Sequence, residues 1–184
     1  SFPTRRSSDL IDLKPFTFSA TTYSGFRSML GGLVEEKIVN DMQALGYKVN
    51  VTVLIASDYY VPQKRERVVI VGHKEPILFT FPNPEKPYKS LTEILENKVD
   101  EKYFASDYIR EKRKEKHTSS YYPSIWHENK SGNICSYPFS CALRSGASHN
   151  YLLVNGERRL TPREMFRLQG FPDWYKIIRS EEHT

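Results

Sequence analysis

The pattern of apolar and polar residues predicts a helix early in the chain. Residues 33–45 repeat apolar side chains at helical spacing, with the charged residues placed elsewhere around the helix. The apolar set consists of Val34, Ile38, Met42 and Leu45. Gly46 follows directly, and a glycine at this position commonly ends a helix. Residues 11–30, which precede the helix, have mixed polarity and predict no element.

Two stretches after this helix predict neighbouring β-strands. Residues 47–56 are rich in β-branched side chains and partly alternate, and residues 68–71 form a second apolar run. About a dozen residues link the two runs, which is tight for a helical crossover, so an antiparallel pair is favoured. A helix that feeds such a pair indicates one edge of an α/β sheet.

Residues 74–155 differ in composition from the preceding segment, and this composition predicts a loop-rich module. Residues 91–95 predict one short helical turn. Residues 101–116 are highly charged, but their signs alternate, so we expect a solvated helical face rather than a nucleic-acid patch. Residues 119–149 are rich in Ser, Tyr, Gly and Asn, which is typical of irregular β or loop structure.

A short helix with clear boundaries is predicted near the end of the chain. Thr161 suits its N-cap, Pro162 suits its first position, and Glu164 completes a capping box. Gly170 can end the helix. This pattern specifies structure more than chemistry.

Composition and charge bound the class of protein. The chain has 184 residues, 39% of them hydrophobic and 27% charged, with a net charge of +5. That length suits one domain, or one domain plus part of another. The sequence shows no transmembrane run and no signal peptide. Its two cysteines form no disulfide framework, which fits a reducing compartment. The basic balance favours a polyanionic partner without identifying it.

Both ends of the chain look like translations of common short-read sequencing adapters. These segments are residues 1–10 and 179–184, and the adapter sequence of the first ends in GCTCTTCCGATCT, the reverse complement of AGATCGGAAGAGC, with which the second begins. Two natural polar termini would match in this way only by coincidence. We therefore expect residues 11–178 to be the native part, cut from a longer gene, and leave both ends out of the fold prediction.

The segment between the two predicted strands, residues 57–67, holds the most informative chemistry. Gln63 offers an amide, and Arg65 and Arg67 point to the same side if the segment is extended. Two guanidinium groups at this spacing form a fork for phosphate or for a carbonyl-type acceptor. An ordinary basic loop before a strand has the same composition, so the residues alone leave both interpretations open.

The cysteines and histidines predict no metal site. Cys135 and Cys141 lack the close pairing of zinc ligands and the surroundings of a nucleophile, so we expect two small buried thiols. His127 and His149 are expected to be polar loop residues rather than ligands.

Three segments, in this order, resemble motifs of the cytosine-5 DNA methyltransferases. Residues 56–72 resemble the glutamine–arginine–arginine motif, and residues 81–95 look like the entry to the target-recognition region. Residues 151–173 look like the penultimate motif, where the chain returns to the catalytic domain. The chain departs from the family at Tyr60, where a glycine is usual, and tyrosine takes a positive φ only at a cost.

The resemblance implies an α/β fold. The chain would contain part of a Rossmann-like, S-adenosylmethionine-dependent methyltransferase domain and a mixed, loop-rich target-recognition domain. Residues 11–74 would be the C-terminal part of the catalytic domain. Residues 75–155 would form the target-recognition domain, and residues 156–178 would return to the catalytic domain.

The resemblance also implies an activity for the parent protein. A cysteine of these enzymes attacks carbon 6 of a cytosine flipped out of double-stranded DNA, and S-adenosylmethionine gives its methyl group to carbon 5. We expect a restriction–modification enzyme, monomeric and cytoplasmic, encoded by a bacterium or phage and associated with the nucleoid rather than with a membrane. The cofactor and nucleophile motifs are missing from this chain, so the cofactor would bind mainly elsewhere in the parent, and the chain alone would be inactive. The alternatives are a tRNA methyltransferase relative and a non-catalytic DNA-binding homologue.

Site residues follow from the resemblance position by position. Arg65 and Arg67 fall on the arginines that hold the flipped cytosine and its flanking phosphates, with Arg67 on the cytosine carbonyl oxygen, and Gln63 would brace the loop. The base-reading residues would be Arg144, Ser145, Ser148, His149 and Asn150, since Arg suits guanine and Asn suits adenine. Arg163 would tie the penultimate motif to the recognition domain. The structural residues of that motif would be Thr161, Pro162, Arg163, Glu164 and Gly170.

Overall fold

A computed structural model describes residues 17–84, 88–144, 147–148 and 150–177. The helices are α1 (Leu33–Ala44), α2 (Leu91–Ile94), α3 (Asp107–Lys116) and α4 (Pro162–Arg167). The strands are β1 (Thr17–Tyr23), β2 (Lys48–Ile55), β3 (Gln63–Lys64), β4 (Glu66–His73), β5 (Ile125–Glu128), β6 (Ile134–Tyr137), β7 (Ser140–Cys141) and β8 (Leu152–Val154). No helix in these ranges is long and apolar enough to cross a membrane.

The chain divides into two compact units. Among the described residues, the first comprises residues 17–54 and 66–83, and the second comprises residues 55–65 and the described residues from 84 to 177. The division into catalytic and recognition domains stays a prediction.

A three-stranded sheet forms the first unit, in the order β1–β4–β2. Strands β2 and β4 confirm the two predicted strands and their adjacency, and β4 is longer than the predicted residues 68–71. The mixed polarity of residues 11–30 gives little indication of structure, and the structure shows strand β1 there, which pairs antiparallel with β4 over residues 17–23. This edge strand buries only Phe18, so it carries no clear apolar alternation.

Helix α1 packs against this sheet and confirms the helix predicted from the apolar pattern. Met42 is buried with Phe18, Tyr47 and Val68, and Ile38 packs against the same cluster. Gly46 follows the helix at φ +86°, a backbone conformation that glycine adopts without strain.

The second unit is built on a small antiparallel sheet in the order β6–β5–β8. Its core contains apolar side chains from the sheet and from the helices on either side in sequence. The buried members are Leu91, Ile94, Ile125, Leu152, Val154, Leu160 and Leu168. The predicted turn at α2 and the irregular β structure after residue 119 are confirmed.

Three expectations for this unit are wrong in part. The charged helix α3 is not simply a solvated face, because Arg113 is buried and its Nη2 pairs with Glu128 Oε2 at 2.6 Å. The two cysteines are not both buried thiols, because Cys135 is exposed and Cys141 is half-buried. His127 lies in β5 rather than in a loop. The contacts of Arg113 and the pairing of β5 join segments that local composition does not connect.

Candidate functional site

The loop that connects β2 to β4 contains a left-handed residue. It begins with a 3₁₀ turn at residues 56–58, and the Ala56 N–H donates to the Arg65 carbonyl at 2.9 Å, which closes the loop. Tyr60 has φ +61°, in the region where the glycine usual in the family would be unstrained. For tyrosine this conformation costs roughly 1–2 kcal/mol.

Gln63 is held at the base of this loop by strand pairing. Strand β3 pairs in parallel with β7, so that Gln63 is opposite Ser140, and the Ser140 N–H donates to the Pro62 carbonyl at 2.8 Å. The Gln63 side chain is 1% exposed. Within the described part of the chain, its Nε2 has no hydrogen-bond partner. A buried amide donor is therefore directed into the interior beside the loop.

The two motif arginines lie on either side of the start of β4. Arg65 is half-buried and belongs to the second unit, while Arg67 is half-buried within β4 of the first unit. The Arg67 Nη1 donates to the Glu66 carbonyl at 2.7 Å. That the guanidinium groups of Arg65 and Arg67 together bind a phosphate or a carbonyl-type acceptor remains a prediction from the sequence.

Helix α4 has the capping box that its sequence predicts. The Thr161 hydroxyl accepts from the Glu164 N–H at 3.1 Å, and the Glu164 carboxylate accepts from the Thr161 N–H at 2.8 Å. Pro162 occupies the first turn, and Gly170 has φ +84° beyond the end of the helix. Glu164 also accepts two hydrogen bonds from Arg158, each 2.8 Å long.

The arginines of α4 have different partners. Arg163 Nη1 donates to the Tyr175 carbonyl at 2.9 Å, within the same C-terminal segment. Arg167 donates to the Ile94 carbonyl at 3.0 Å and so joins α4 to α2. Its other hydrogen bonds go to Asp173 and lower the pKa of that carboxyl below its ordinary value. The linking role that the resemblance gives Arg163 stays a prediction.

The segment expected to read bases contains one exposed arginine with a defined setting. The Arg144 guanidinium lies over the Tyr151 ring, 5.1 Å from its centroid, and Nη2 lies 3.3 Å from His127 Nε2. Ser148 is exposed, and Asn150 is half-buried with its carbonyl in contact with Arg113. Ser145 and His149 lie outside the described residues.

A cavity of about 540 Å³ opens beside Arg144. Most of the side chains around it are polar or charged, so it offers both donors and acceptors. They belong to Glu128, Asn129, Lys130, Arg144, Ala147, Ser148 and Tyr151. Sequence reasoning missed Glu128 and Tyr151 as parts of this site, because only the pairing of β5 with β8 brings them to it.

Two described glycines offer no room for S-adenosylmethionine. The chain's own rings fill the space where a Cβ would stand at two glycines, Phe18 at Gly72 and Trp126 at Gly156. Neither glycine therefore leaves a cradle for a ligand. Among the residues that the structure covers, no three His, Cys, Asp or Glu side chains come together to hold a metal ion.

Comparison with solved structures shows a methyltransferase fold. The chain is similar to EhMeth, a methyltransferase of Entamoeba histolytica, with a TM-score of 0.59 and 14% identity over 88% of this chain and 52% of that one. It is also similar to the Dnmt2 methyltransferase of S. pombe, with a TM-score of 0.56 and 17% identity over 91% of this chain and 58% of that one.

Comparison by sequence identifies the family. The chain is 50% identical to the type II methyltransferase M.NgoBI of Neisseria gonorrhoeae over 76% of this chain and 45% of that protein. It is 51% identical to M.HaeII of Haemophilus aegyptius over 77% of this chain and 46% of that protein. It thus spans about half the length of these curated relatives. The profile of one family matches residues 24–184. The chain therefore belongs to the C-5 cytosine-specific DNA methylase family.

Proposed function

We propose that this chain is part of a DNA cytosine-5 methyltransferase of the restriction–modification type. The parent would transfer a methyl group from S-adenosylmethionine to carbon 5 of a cytosine flipped out of double-stranded DNA. The relatives named as type II methyltransferases support this proposal. We further propose that the full-length enzyme acts as a monomer in the cytoplasm.

The pairing of β3 with β7 is the observation that carries the proposal. It joins the glutamine–arginine–arginine motif, through Gln63, to the strand that leads directly into the segment with Arg144. A base-flipping enzyme needs these two parts in a fixed relationship, because one holds the extruded base while the other reads the duplex around it. Within the second unit, this pairing sets the register of Gln63 against Ser140.

The chain's own residues would then have separate roles. Arg67 would donate to the cytosine carbonyl oxygen and Arg65 to a flanking phosphate, as guanidinium groups do well. Gln63 would hold the loop. Arg144, Ser145, Ser148, His149 and Asn150 would contact base edges. S-adenosylmethionine supplies the methyl group and would bind mainly outside this chain, so the 184-residue chain would be inactive alone.

The test is methyl transfer by the full-length parent, obtained by extending the gene beyond both ends of this sequence. Labelled methyl groups should enter cytosines of duplex DNA, and Arg67→Ala should lower kcat/KM by about 100-fold or more. Arg27→Ala is the matched control, because Arg27 is an exposed arginine of the same unit, paired with Glu35. Transfer to tRNA but not to DNA would favour the RNA-modifying relative. DNA binding without any transfer would favour the non-catalytic homologue.

A further inference from the structure

One exposed arginine of the second unit is held from two directions. The Tyr151 ring lies beneath the Arg144 guanidinium, and His127 Nε2 lies beside its Nη2. The Tyr151 hydroxyl also accepts from the backbone N–H of Arg144 at 3.0 Å. Arginine has a long and flexible side chain, so an arginine ordered in advance loses less freedom when it binds a ligand.

The sheet makes this support rigid. His127 is paired with Leu152 in the β5–β8 ladder, which places the preceding residue, Tyr151, at the same end of β8. The His127 and Tyr151 rings meet edge to face, with centroids 6.3 Å apart. The Glu128 N–H donates to the Tyr151 carbonyl at 3.0 Å. Both supporting side chains therefore stand on paired backbone rather than on a loose loop.

Arg144 lines the polar cavity described above and also a second cavity, of about 460 Å³, that includes Leu143 and Met165. The rim of the polar cavity carries Glu128, Lys130 and Ser148, and the Glu128 carboxylate is held by buried Arg113. A guanidinium with two parallel N–H donors matches the N7 and O6 acceptors of guanine in the major groove, and this is the commonest specific contact to a base. The chemistry of the cavity therefore suits the edge of a guanine base.

The arrangement requires His127 to be neutral, because only an unprotonated Nε2 can accept from Arg144. Burial lowers the pKa of His127 below its ordinary value of 6.5, and the charges of Arg144 and Arg113 lower it further. The titratable and charged groups on the surrounding elements are Arg113, Glu128, Cys135, Arg144 and Tyr151. Protonation would remove the acceptor and place a second positive charge beside Arg144.

We propose that Arg144 reads a guanine of the recognised DNA site and that His127 and Tyr151 are positioning residues that hold it for this contact. This inference rests on the proposed function, because it needs the chain to belong to an enzyme that reads duplex DNA. It adds to the base-reading role proposed for Arg144 the two side chains that hold this reader in place.

The first test uses the full-length parent and its own recognition site, which bisulfite sequencing of host DNA identifies. Duplexes that replace each guanine in turn by 7-deazaguanine lack one N7 acceptor at a time. At one position the replacement should lower the wild-type kcat/KM by about 10-fold or more. Arg144→Ala should methylate that modified duplex and the natural duplex at similar rates, because it makes no contact with N7.

The second test uses the pH profile of this discrimination. The wild-type enzyme should discriminate fully at about pH 7.5 and lose discrimination as the pH falls well below 6.5, when His127 becomes protonated. His127→Gln keeps a neutral acceptor, so its discrimination should not change with pH. His117→Gln is the control, because His117 contacts Ser136 and Trp126 rather than Arg144, and it should keep the wild-type profile.

Two tyrosine variants separate the ring from the hydroxyl. Tyr151→Phe keeps the surface beneath Arg144 and should keep most of the discrimination, whereas Tyr151→Leu should lose it. Methyl transfer to the natural duplex shows in each case that the variant is folded.

The outcomes distinguish the two proposals. If the parent leaves host DNA without methylated cytosine, the proposed function fails. If DNA is methylated but Arg144→Ala discriminates against 7-deazaguanine as the wild type does, the guanine contact is refuted. If His127→Gln has the same pH profile as the wild type, the positioning role of His127 is refuted.

Discussion

Arg158 and Glu164 form a buried two-bond ion pair, with both N–O distances at 2.8 Å and the carboxylate entirely removed from solvent. The same carboxylate accepts backbone N–H groups of Thr161 and Glu96, each at 2.8 Å. A carboxylate offers about four acceptor sites, and all of them are used here. Glu164 therefore joins the start of α4 to the end of α2. Because its carboxylate is fully buried, water cannot take the place of any of these four hydrogen bonds.

We expect Glu164→Gln to destabilise the second unit by about 3–5 kcal/mol, because it leaves Arg158 as a buried charge without its counterion. Urea unfolding of the 184-residue chain, followed by the fluorescence of buried Trp126, measures this loss. Glu93→Gln is the matched control. Glu93 also completes a capping box, at α2, but it is exposed, so its replacement should cost less than about 1 kcal/mol. Equal losses for both variants would contradict the buried ion pair.

The left-handed backbone at Tyr60 predicts a stabilising substitution. Asparagine tolerates positive φ better than tyrosine does, so Tyr60→Asn should stabilise the chain by roughly 0.5–1 kcal/mol. Tyr60→Val should destabilise it, because a β-branched residue is the least compatible with this conformation. Denaturant midpoints of the three proteins test the order Asn, Tyr, Val. A valine variant as stable as the wild type would show that the loop does not hold a positive φ at this residue.

Gly72 predicts a steric effect in the first unit. It lies opposite Phe18 in the β1–β4 ladder, and a Cβ at this position would be only 2.0 Å from the nearest carbon of the Phe18 ring. Gly72→Ala should therefore destabilise the sheet by about 1–3 kcal/mol. Hydrogen exchange of the β1 and β4 amides measures the change locally.

The control for this prediction is a double-mutant cycle with Phe18→Leu. Leucine lacks the ring atoms that meet the new methyl group, so the two substitutions together should cost less than the sum of their separate effects. Strict additivity would mean that Phe18 and Gly72 are not in contact.

The Arg167–Asp173 pair predicts a pH effect confined to acid. The hydrogen bonds from Arg167 lower the pKa of Asp173 below its ordinary value of 3.8. The contribution of the pair is therefore present above the unfolded pKa of 3.8 and disappears as the pH falls through the lower pKa of the folded state. Carboxyl NMR titration of Arg167→Gln should show the pKa of Asp173 rising towards 3.8. The carboxyl of Asp100, whose pKa Lys102 lowers, should titrate as in the wild type.

Local sequence patterns predicted those elements whose signals are contained within one segment. Helix α1 has apolar residues at helical spacing, and α4 has its cap, its proline and its terminal glycine within ten positions, so both were predictable. Strand β1 was missed because an edge strand with one buried side chain has no periodic pattern. Tyr60 was recognised as a departure from the family, but only the structure shows that it keeps the positive φ.

The candidate site divides in the same way. Arg144 was predicted from its place before the penultimate motif. The residues that hold it, His127 and Tyr151, come from β5 and from the residue before β8, and no spacing in the sequence links them. The burial of Arg113 was hidden by a charged run whose other members are mostly exposed. The composition of one segment does not predict its contacts with segments that are distant in the sequence.

The parallel pairing of β3 with β7 constrains how such enzymes can exchange specificity. A chimaera that receives a foreign segment between residues 65 and 140 must still deliver a strand to Gln63 in the same register. A shift of one residue in β7 would direct the side chains of this strand to the opposite faces and remove Ser140 from its place opposite Gln63. The length of a transplanted recognition segment can therefore vary. Its last two residues must still form β7 and pair with Gln63 and Lys64 in the register seen here.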